Sequence, residues 1–180
     1  MNRMLTPHQM PVYKKTNIHE ILERVRSLIL SEFSSDITFI RDYDVSLPEF
    51  IVDREKLIQA ILNIARNGAQ AMKLNNQGNM QLSFITRAER QIVFRKKKHA
   101  TAIRIDIIDN GPGIKNELID KIFFPLVTGK ENGSGLGLSL AQNLISLHHG
   151  MIDCHSVPGK TVFSIILPIE NNLIPTKEKK

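Results

Sequence analysis

Apolar residues return at every third or fourth position in three stretches of the chain, which predicts three amphipathic helices. The first helix follows Thr16 or Asn17 as its N-cap, and the second runs from its cap at Asp53 to about residue 72. The third is expected over residues 135–149, with a shorter helix over 116–122. Each long helix has one apolar face, so the three can form a single covering layer.

Shorter apolar or alternating stretches between these helices predict strands. The predicted strands lie at 37–40, 82–86 (extended or followed by another at 92–94), 103–109, 151–155 and 161–167. Together the elements predict an α/β (α+β) two-layer sandwich. Its mixed, mostly antiparallel sheet of about five strands is expected to be covered on one face by about three helices.

Composition narrows the class of protein. With 180 residues, of which 42% are hydrophobic and 23% charged, the chain fits one globular domain. It has no apolar run near the roughly 18 residues of a membrane span and no leader-like segment, so we expect no membrane contact. The single Cys154 excludes an internal disulfide and favours a cytoplasmic location.

The net charge of +6 comes from two short runs, at 95–98 and 177–180. The rest of the chain is formally neutral, so the basic residues do not form a stripe interleaved with aromatic residues. We therefore expect no direct binding of nucleic acid. The two runs are interpreted as a solvated hairpin tip at 95–99 and a terminal tail.

Two asparagines on the second helix form the first candidate site. Asn63 and Asn67 are four residues apart and share one flank of the helix. Their amide oxygens could coordinate Mg²⁺, an ion that usually keeps several water ligands and bridges nucleotide phosphates. The same amides could instead bond neighbouring backbone groups, and the spacing alone leaves both interpretations open.

Two glycine clusters form the second and third candidate sites. Asp109 ends a predicted strand and is followed by Gly111 and Gly113, so its carboxylate could accept from the exocyclic amine of adenine. Asp-Asn-Gly is also an ordinary turn. The alternate glycines of residues 133–137 open the third helix, whose N-terminus suits a triphosphate. This pattern is neither the Walker motif nor the dinucleotide fingerprint.

Taken in this order, the motifs resemble those of the GHKL superfamily, which includes DNA gyrase B, the Hsp90 chaperones, histidine kinases and MutL. The resemblance covers residues 16–168 and implies the Bergerat (GHKL) fold. It is closest to the catalytic domain of sensor histidine kinases, and within them to the nitrogen-regulation kinases of the NtrB type. The matching segments are residues 62–69 (N-box), 109–114 (first glycine box), 122–125 (F-box), 133–139 (second glycine box) and 159–163 (last box), with 41–44, 46–48 and 124–130 for the narrower likeness.

The resemblance implies ATP and Mg²⁺ as ligands and assigns a role to each motif. Asn67 is expected to ligate Mg²⁺ with Asn63 close by, and Asp109 to bind the adenine amine. Thr161 is expected to join Asp109 through a water. Lys130, in a lid over residues 126–134, is a candidate γ-phosphate contact and with Asn67 forms the expected catalytic pair. The other residues expected at the nucleotide are Gly111, Gly113, Ile114, Phe123, Gly133, Ser134, Gly135, Leu136, Gly137 and Leu138.

Two positions depart from the superfamily pattern. Gln70 stands where many members carry Lys or Arg, so neutralisation of the phosphate charge would fall to Lys130 or Arg66. Asn63 stands where the ATPases of the superfamily carry a catalytic glutamate, and an amide cannot take a proton from water at neutral pH. We therefore expect a protein-histidine kinase. The alternatives are a nucleotide-regulated, non-catalytic docking module and a gyrase- or MutL-like ATPase.

None of the six histidines has the His-Glu-x-x-Asn-Pro context of the acceptor in such kinases. His19 precedes a glutamate but lacks the Asn-Pro, and it is expected on the surface of the first helix. His148 and His149 suit the end of the third helix, where an imidazolium interacts favourably with the helix dipole. The acceptor histidine is therefore expected on a separate dimerisation domain.

This interpretation divides the chain into three parts. Residues 1–15 are expected to be the end of a dimerisation helix or a linker, 16–168 the catalytic domain, and 169–180 a tail. The resemblance implies that the phosphate passes to a response regulator of nitrogen control and that a P-II signalling protein regulates the kinase. We expect this piece of chain to be a monomer and the full protein to be a homodimer.

Overall fold

The computed structural model describes residues 10–33, 36–127 and 135–169. Within these ranges the chain forms seven strands and four helices. In chain order they are β1 (Tyr13–Thr16), α1 (Ile18–Phe33), β2 (Ile37–Asp42), β3 (Phe50–Asp53), α2 (Arg54–Leu74), β4 (Met80–Phe94), β5 (Lys97–Asp109), α3 (Asn116–Ile119), α4 (Gly137–Leu147), β6 (Met151–Val157) and β7 (Lys160–Pro168).

Five strands form the main sheet, in the order β2-β4-β5-β7-β6. β2 runs parallel to β4, and the other neighbours are antiparallel. The long helices cover one face, and their apolar sides bury the core against the alternating residues Ile103, Ile105 and Ile107 of β5. The predicted two-layer sandwich with a mixed, mostly antiparallel sheet is therefore confirmed. Because side chains alternate along a strand, Asp109 ends β5 on the same, helix-covered face.

The N-caps of α1 and α2 are those predicted from the sequence, whereas the bounds of α3 and α4 differ from the prediction. Asn17 Oδ1 accepts from His19 N at 2.9 Å, and Asp53 Oδ1 accepts from Lys56 N at 3.1 Å. α3 ends at Ile119 instead of reaching residue 122 as predicted, so it is only one turn long, and its N-cap Lys115 makes no side-chain capping bond. α4 begins at Gly137 instead of residue 135, because Gly135 has a φ of +67° that a right-handed helix cannot include.

A second sheet of two strands was not predicted. β1 pairs antiparallel with β3, so Tyr13 lies opposite Asp53 and Thr16 opposite Phe50. The boundary predicted at residue 16 thus falls inside a strand. At the other end, Ile169 N donates to Thr101 O at 3.0 Å and the Ile169 side chain packs on the core. Residues 1–9 and 170–180 lie outside the described ranges.

The basic run predicted as a hairpin tip belongs mostly to a strand. Arg95 and Lys96 have φ values of +51° and +58° and form the turn between β4 and β5, and β5 resumes at Lys97. His99 is buried in β5, with its ring stacked on Phe94 at 4.2 Å between centroids. Within the described ranges, no helix is long and apolar enough to cross a membrane.

His19 is more enclosed than expected for a helix surface. Its ring stacks on Tyr43, with 4.6 Å between the ring centroids, and its Nε2 lies 2.9 Å from Thr86 Oγ1. Burial lowers the pKa of His19, and the nearby carboxylates of Asp44 and Glu23 oppose the shift. The side chain therefore helps to join α1 to the sheet.

Candidate functional site

A cleft of about 570 Å³ runs along α2 between the first glycine turn and the start of α4. Helical periodicity brings the polar flank of α2 to its wall, because residues three, four and seven apart share a face. The opposite wall comes from the turn after β5, from α3 and from α4. The lining includes Asn63, Arg66, Asn67, Gln70, Pro112, Gly113, Ile114, Lys115, Leu118, Val127, Gly135, Gly137 and Leu138.

Asn63 ties the two sides of this cleft together. Its Nδ2 donates to the Gly137 backbone oxygen at 3.2 Å, so α2 is bonded to the first residue of α4. Asn67 lies one turn further along α2 and also lines the cleft. The spacing alone left open whether these amides bind a metal ion or the backbone. The structure shows that the Asn63 amide bonds the backbone.

Asp109 sits in a tight, buried setting where β5 ends. Its side chain is 6% exposed, and its Oδ1 accepts from Gly111 N at 2.9 Å. Gly68 of α2 lies directly against it, since a Cβ on Gly68 would come within 2.9 Å of Asp109 Oδ2. Thr161 of β7 is the cross-strand partner of Asp109 and is also buried. Neither Asp109 nor Gly111 or Thr161 lines the cleft, and Asp109 borders a separate pocket of about 270 Å³. A carboxylate so enclosed can accept a hydrogen bond from a flat ligand with a polar edge.

Backbone contacts fix the turn that follows Asp109. Gly113 has a φ of +87°, which glycine adopts without strain, and a Cβ there would lie 3.0 Å from the Val157 carbonyl. Glycine at this position therefore allows both the backbone conformation and the close approach. Gly159 N donates to Gly111 O at 2.9 Å, which bonds the β6–β7 turn to the glycine turn. Side chains add a second link, because Ile114 N donates to Ser156 Oγ at 2.9 Å and Ser156 Oγ lies 2.7 Å from Thr161 Oγ1.

The structure describes only part of the second glycine cluster, from residue 135 onward. Gly135 faces the backbone of Leu126, whose N donates to Gly135 O at 3.0 Å, and a Cβ on Gly135 would come within 2.6 Å of Leu126 C. Gly137 then opens α4, and its Cβ position is empty. The predicted contacts Lys130, Gly133 and Ser134 lie outside the described residues.

The other predicted residues divide between the cleft and the core. Ile114 and Leu138 line the cleft, whereas Leu136 caps α4 and is about half exposed. Phe123 does not line the cleft. Its ring meets Phe163 edge-on at 6.2 Å between centroids, so it packs beneath the site.

Two residues at the site had not been singled out from the sequence. Gly68 makes room for the Asp109 carboxylate, and a glycine inside a predicted helix is a signal that could have found it, because such a glycine is costly. Ser156 links Ile114 to Thr161, and no local pattern distinguishes it from other strand serines.

His148 fixes the far end of α4 against α2. Its Nε2 accepts from Asp53 N at 3.0 Å, and its Nδ1 lies 2.8 Å from Leu144 O, so the ring is neutral and protonated on Nδ1. Burial lowers the pKa of His148, with the Leu144 carbonyl and Asp53 opposing the shift. The expected imidazolium is thus wrong for His148, because this ring is buried and must accept a hydrogen bond. Asp53 Oδ2 also accepts from Val12 N at 2.8 Å, which joins the chain before β1 to the same point.

A family model described as the histidine kinase-, DNA gyrase B- and HSP90-like ATPase matches residues 52–171. The chain is 45% identical over 169 residues to the sensory histidine kinase/phosphatase NtrB of Vibrio alginolyticus. It is 44% identical over 170 residues to the protein of the same name from Escherichia coli O157:H7. Each match covers 94% of this chain and 48% of the relative, so the chain spans about half the length of the curated relatives it matches.

Solved structures agree on the fold. The nucleotide-free catalytic domain of histidine kinase ThkA matches with a TM-score of 0.69 at 24% identity, covering 88% of this chain and 96% of that domain. The mycobacterial sensor histidine kinase MprB matches with a TM-score of 0.70 at 22% identity, covering 86% and 97%. At this identity the likeness establishes the arrangement of strands and helices.

Proposed function

Because this chain belongs to the family of histidine kinase-, DNA gyrase B- and HSP90-like ATPases, for which nucleotide binding is the common property, we propose that it is the ATP-binding catalytic domain of an NtrB-like sensor histidine kinase. In this proposal it transfers the γ-phosphoryl group of ATP to a histidine on a separate dimerisation domain. The relatives named sensory histidine kinase/phosphatase NtrB support a kinase over the other activities of the family.

The cleft carries the proposal, because its two ends have different and suitable chemistry. At one end, Pro112 and Gly113 of the glycine turn give a close backbone for an adenine ring, and the buried Asp109 carboxylate, which does not itself line the cleft, is bonded to the same turn through Gly111 N and is proposed as the acceptor. At the other end, Gly137 opens α4 beside the amides of α2, and a helix N-terminus of this kind favours phosphate. We assign Thr161 to the adenine end, where it neighbours Asp109.

The residues at the phosphate end fit Mg²⁺. Asn67 offers a neutral amide oxygen on the cleft wall, and Mg²⁺ is usually held by one or two protein oxygens together with waters and phosphate oxygens. Asn63 is expected to act mainly as the tie to Gly137, because its amide nitrogen is used there. When bound, the ion would offset the charge of the phosphates, while this chain's residues hold the nucleotide in place.

The partners in the proposal rest on the resemblance to kinases of the NtrB type and not on the cleft. We propose that the full protein is a cytoplasmic homodimer, that the phosphohistidine passes its phosphoryl group to a response regulator of nitrogen control, and that a P-II signalling protein regulates the kinase. This domain alone is expected to be a monomer. We further propose Lys130, Gly133 and Ser134 as lid contacts to the phosphates, on the motif resemblance alone.

Transfer fits the cleft better than hydrolysis does. Hydrolysis needs a group that removes a proton from water, and the amide of Asn63 cannot do so at neutral pH. The same amide holds the start of α4, which gives the position a structural role. A gyrase- or MutL-like ATPase is therefore disfavoured, as is a docking module without catalysis, given the kinase relatives.

Binding of Mg²⁺-ATP by Asp109→Asn and Asn67→Ala, measured by calorimetry, tests the site. Both variants are expected to lose detectable binding, whereas Asp153→Asn, an exposed carboxylate on β6, should bind as the wild type does. Wild-type affinity in either site variant would refute the assignment of that residue.

A mixing assay tests the reaction. This domain, a separately expressed acceptor domain of an NtrB relative and γ-labelled ATP are combined, and label on the acceptor histidine is expected. ATP binding without transfer would favour the docking module, and phosphate release at a few turnovers per minute without an acceptor would favour the ATPase.

A further inference from the structure

We propose that Arg66 binds the nucleotide phosphates and that Glu32 holds its side chain aside until they arrive. The inference rests on the proposed nucleotide-binding function. It chooses Arg66 from the two cations that the sequence offers for the phosphate charge, and it adds the restraint by Glu32. It begins from the position of one ion pair at the edge of the cleft.

Arg66 lines the cleft and also forms an ion pair with α1. It lies one turn after Asn63 on α2 and is part of the cleft lining. Its Nε also donates to Glu32 Oε2 at 2.9 Å, and Glu32 lies in the last turn of α1. The long side chain can therefore reach either the carboxylate of α1 or the space in front of α2.

The distribution of charge in the cleft makes this position important. Among the lining residues that the structure describes, the cations are Arg66 and Lys115. Lys115 follows the glycine turn, at the proposed adenine end, whereas Arg66 neighbours the Asn63–Gly137 tie at the proposed phosphate end. Gln70, the next cleft residue on that side of α2, is neutral. A triphosphate entering this end would thus meet Arg66 as its nearest described cation.

The pair with Glu32 is weak enough to exchange. Its side chains are 35% and 40% exposed, and ion pairs as accessible as this contribute little and are screened by salt. A polyphosphate carries more charge than one carboxylate and accepts both arms of a guanidinium. Binding of the nucleotide should therefore move Arg66 from Glu32 to the phosphates.

The test compares ATP, ADP and AMP as competitors of a trinitrophenyl-labelled ATP. Arg66→Gln is expected to weaken ATP binding about tenfold while AMP changes less than about twofold, because AMP lacks the outer phosphates. Glu32→Gln is expected to strengthen ATP binding by about two- to fivefold, since it releases Arg66. Glu32→Gln in the Arg66→Gln background should have no further effect.

Arg104→Gln and Glu89→Gln are the matched controls. This pair joins the β4–β5 hairpin at 3.0 Å with similar exposure, and neither residue lines the cleft. Both controls should bind all three nucleotides as the wild type does.

The outcomes separate this inference from the function on which it rests. If the wild type binds no nucleotide, the proposed function fails and the inference fails with it. If the wild type binds ATP but Arg66→Gln leaves its affinity unchanged, or weakens ATP and AMP equally, only the role of Arg66 is overturned. A Glu32→Gln effect that persists without Arg66 would overturn the restraint by Glu32, because the carboxylate would then act on the phosphates directly.

Discussion

Gly68→Ala gives the sharpest test of the proposed adenine end, because the substitution acts on Asp109 without changing any polar group. The new Cβ would lie 2.9 Å from Asp109 Oδ2 and 3.0 Å from Asp109 Cβ. The carboxylate cannot simply retreat, since its Oδ1 is held by Gly111 N at 2.9 Å. Relief of the clash must therefore shift Asp109 by a few tenths of an ångström and weaken that bond.

Two opposing terms set the effect of this substitution on stability. Replacing a helix-interior glycine by alanine favours folding by about 1 kcal/mol. Overpacking at a buried contact costs about 1–3 kcal/mol. The free energy of unfolding is thus expected to fall by about 0–2 kcal/mol, which leaves the domain folded.

Nucleotide affinity should fall by more than stability does. A hydrogen bond to a charged group contributes about 1.5–3 kcal/mol, so displacing Asp109 should weaken ATP binding by about 10- to 150-fold. Calorimetry and urea unfolding on the same samples measure the two quantities. Gly78→Ala is the matched control, because it makes the same change in a loop where a Cβ meets nothing within 4 Å. Full ATP affinity in Gly68→Ala would refute the proposed contact between adenine and Asp109.

Three further predictions follow from single contacts. Burial lowers the pKa of His148, so below about pH 6.5 the unfolded chain binds a proton at this residue that the folded domain does not bind. The free energy of unfolding should therefore fall as pH drops below about 6.5. His148→Gln should reduce that slope by up to about 1.4 kcal/mol per pH unit in urea titrations. Burial, with help from nearby carboxylates, raises the pKa of Cys154 to about 12, so iodoacetamide at pH 8 should react on the order of a thousandfold slower than with the unfolded chain, as followed by mass spectrometry. Gly113→Ala should destabilise the domain by about 1–3 kcal/mol more than Gly159→Ala in thermal unfolding, because both have a φ of +87° but only Gly113 faces the Val157 backbone.

The parts of the site that could be predicted from the sequence are those whose signal is local. Asn63 and Asn67 share a flank because the helix repeats every 3.6 residues, and the structure puts both on the cleft wall. Asp109 ends β5 because alternating apolar residues precede it, so its placement required only the period of a strand. The sequence predicts Gly135 inside a helix, because glycine positions do not reveal their φ values, whereas its backbone in the structure is left-handed.

Features that depend on distant partners could not be predicted. Tyr13 and Asp53 pair across 40 residues in two four-residue strands, and neither strand has enough length to show a period. His148 was assigned a charge from its place at a helix end, whereas its protonation is decided by burial against Asp53 N. In each case the deciding atom lies on another element.

The same long-range contacts explain how α4 is held in register with the cleft. Gly137, at its start, is bonded to Asn63, and His148, at its end, is bonded to Asp53. Counting the N-cap Asp53 with α2 and the C-cap His148 with α4, the two contact points are ten residues apart on α2 and eleven apart on α4, which at 1.5 Å per residue are about 15 and 16.5 Å. The two helices therefore run antiparallel with matching lengths between their ties. Because α4 cannot slide along α2 without breaking these bonds, the start of α4 at Gly137 is fixed beside Asn63, one turn from Asn67, where the proposed phosphate end requires it.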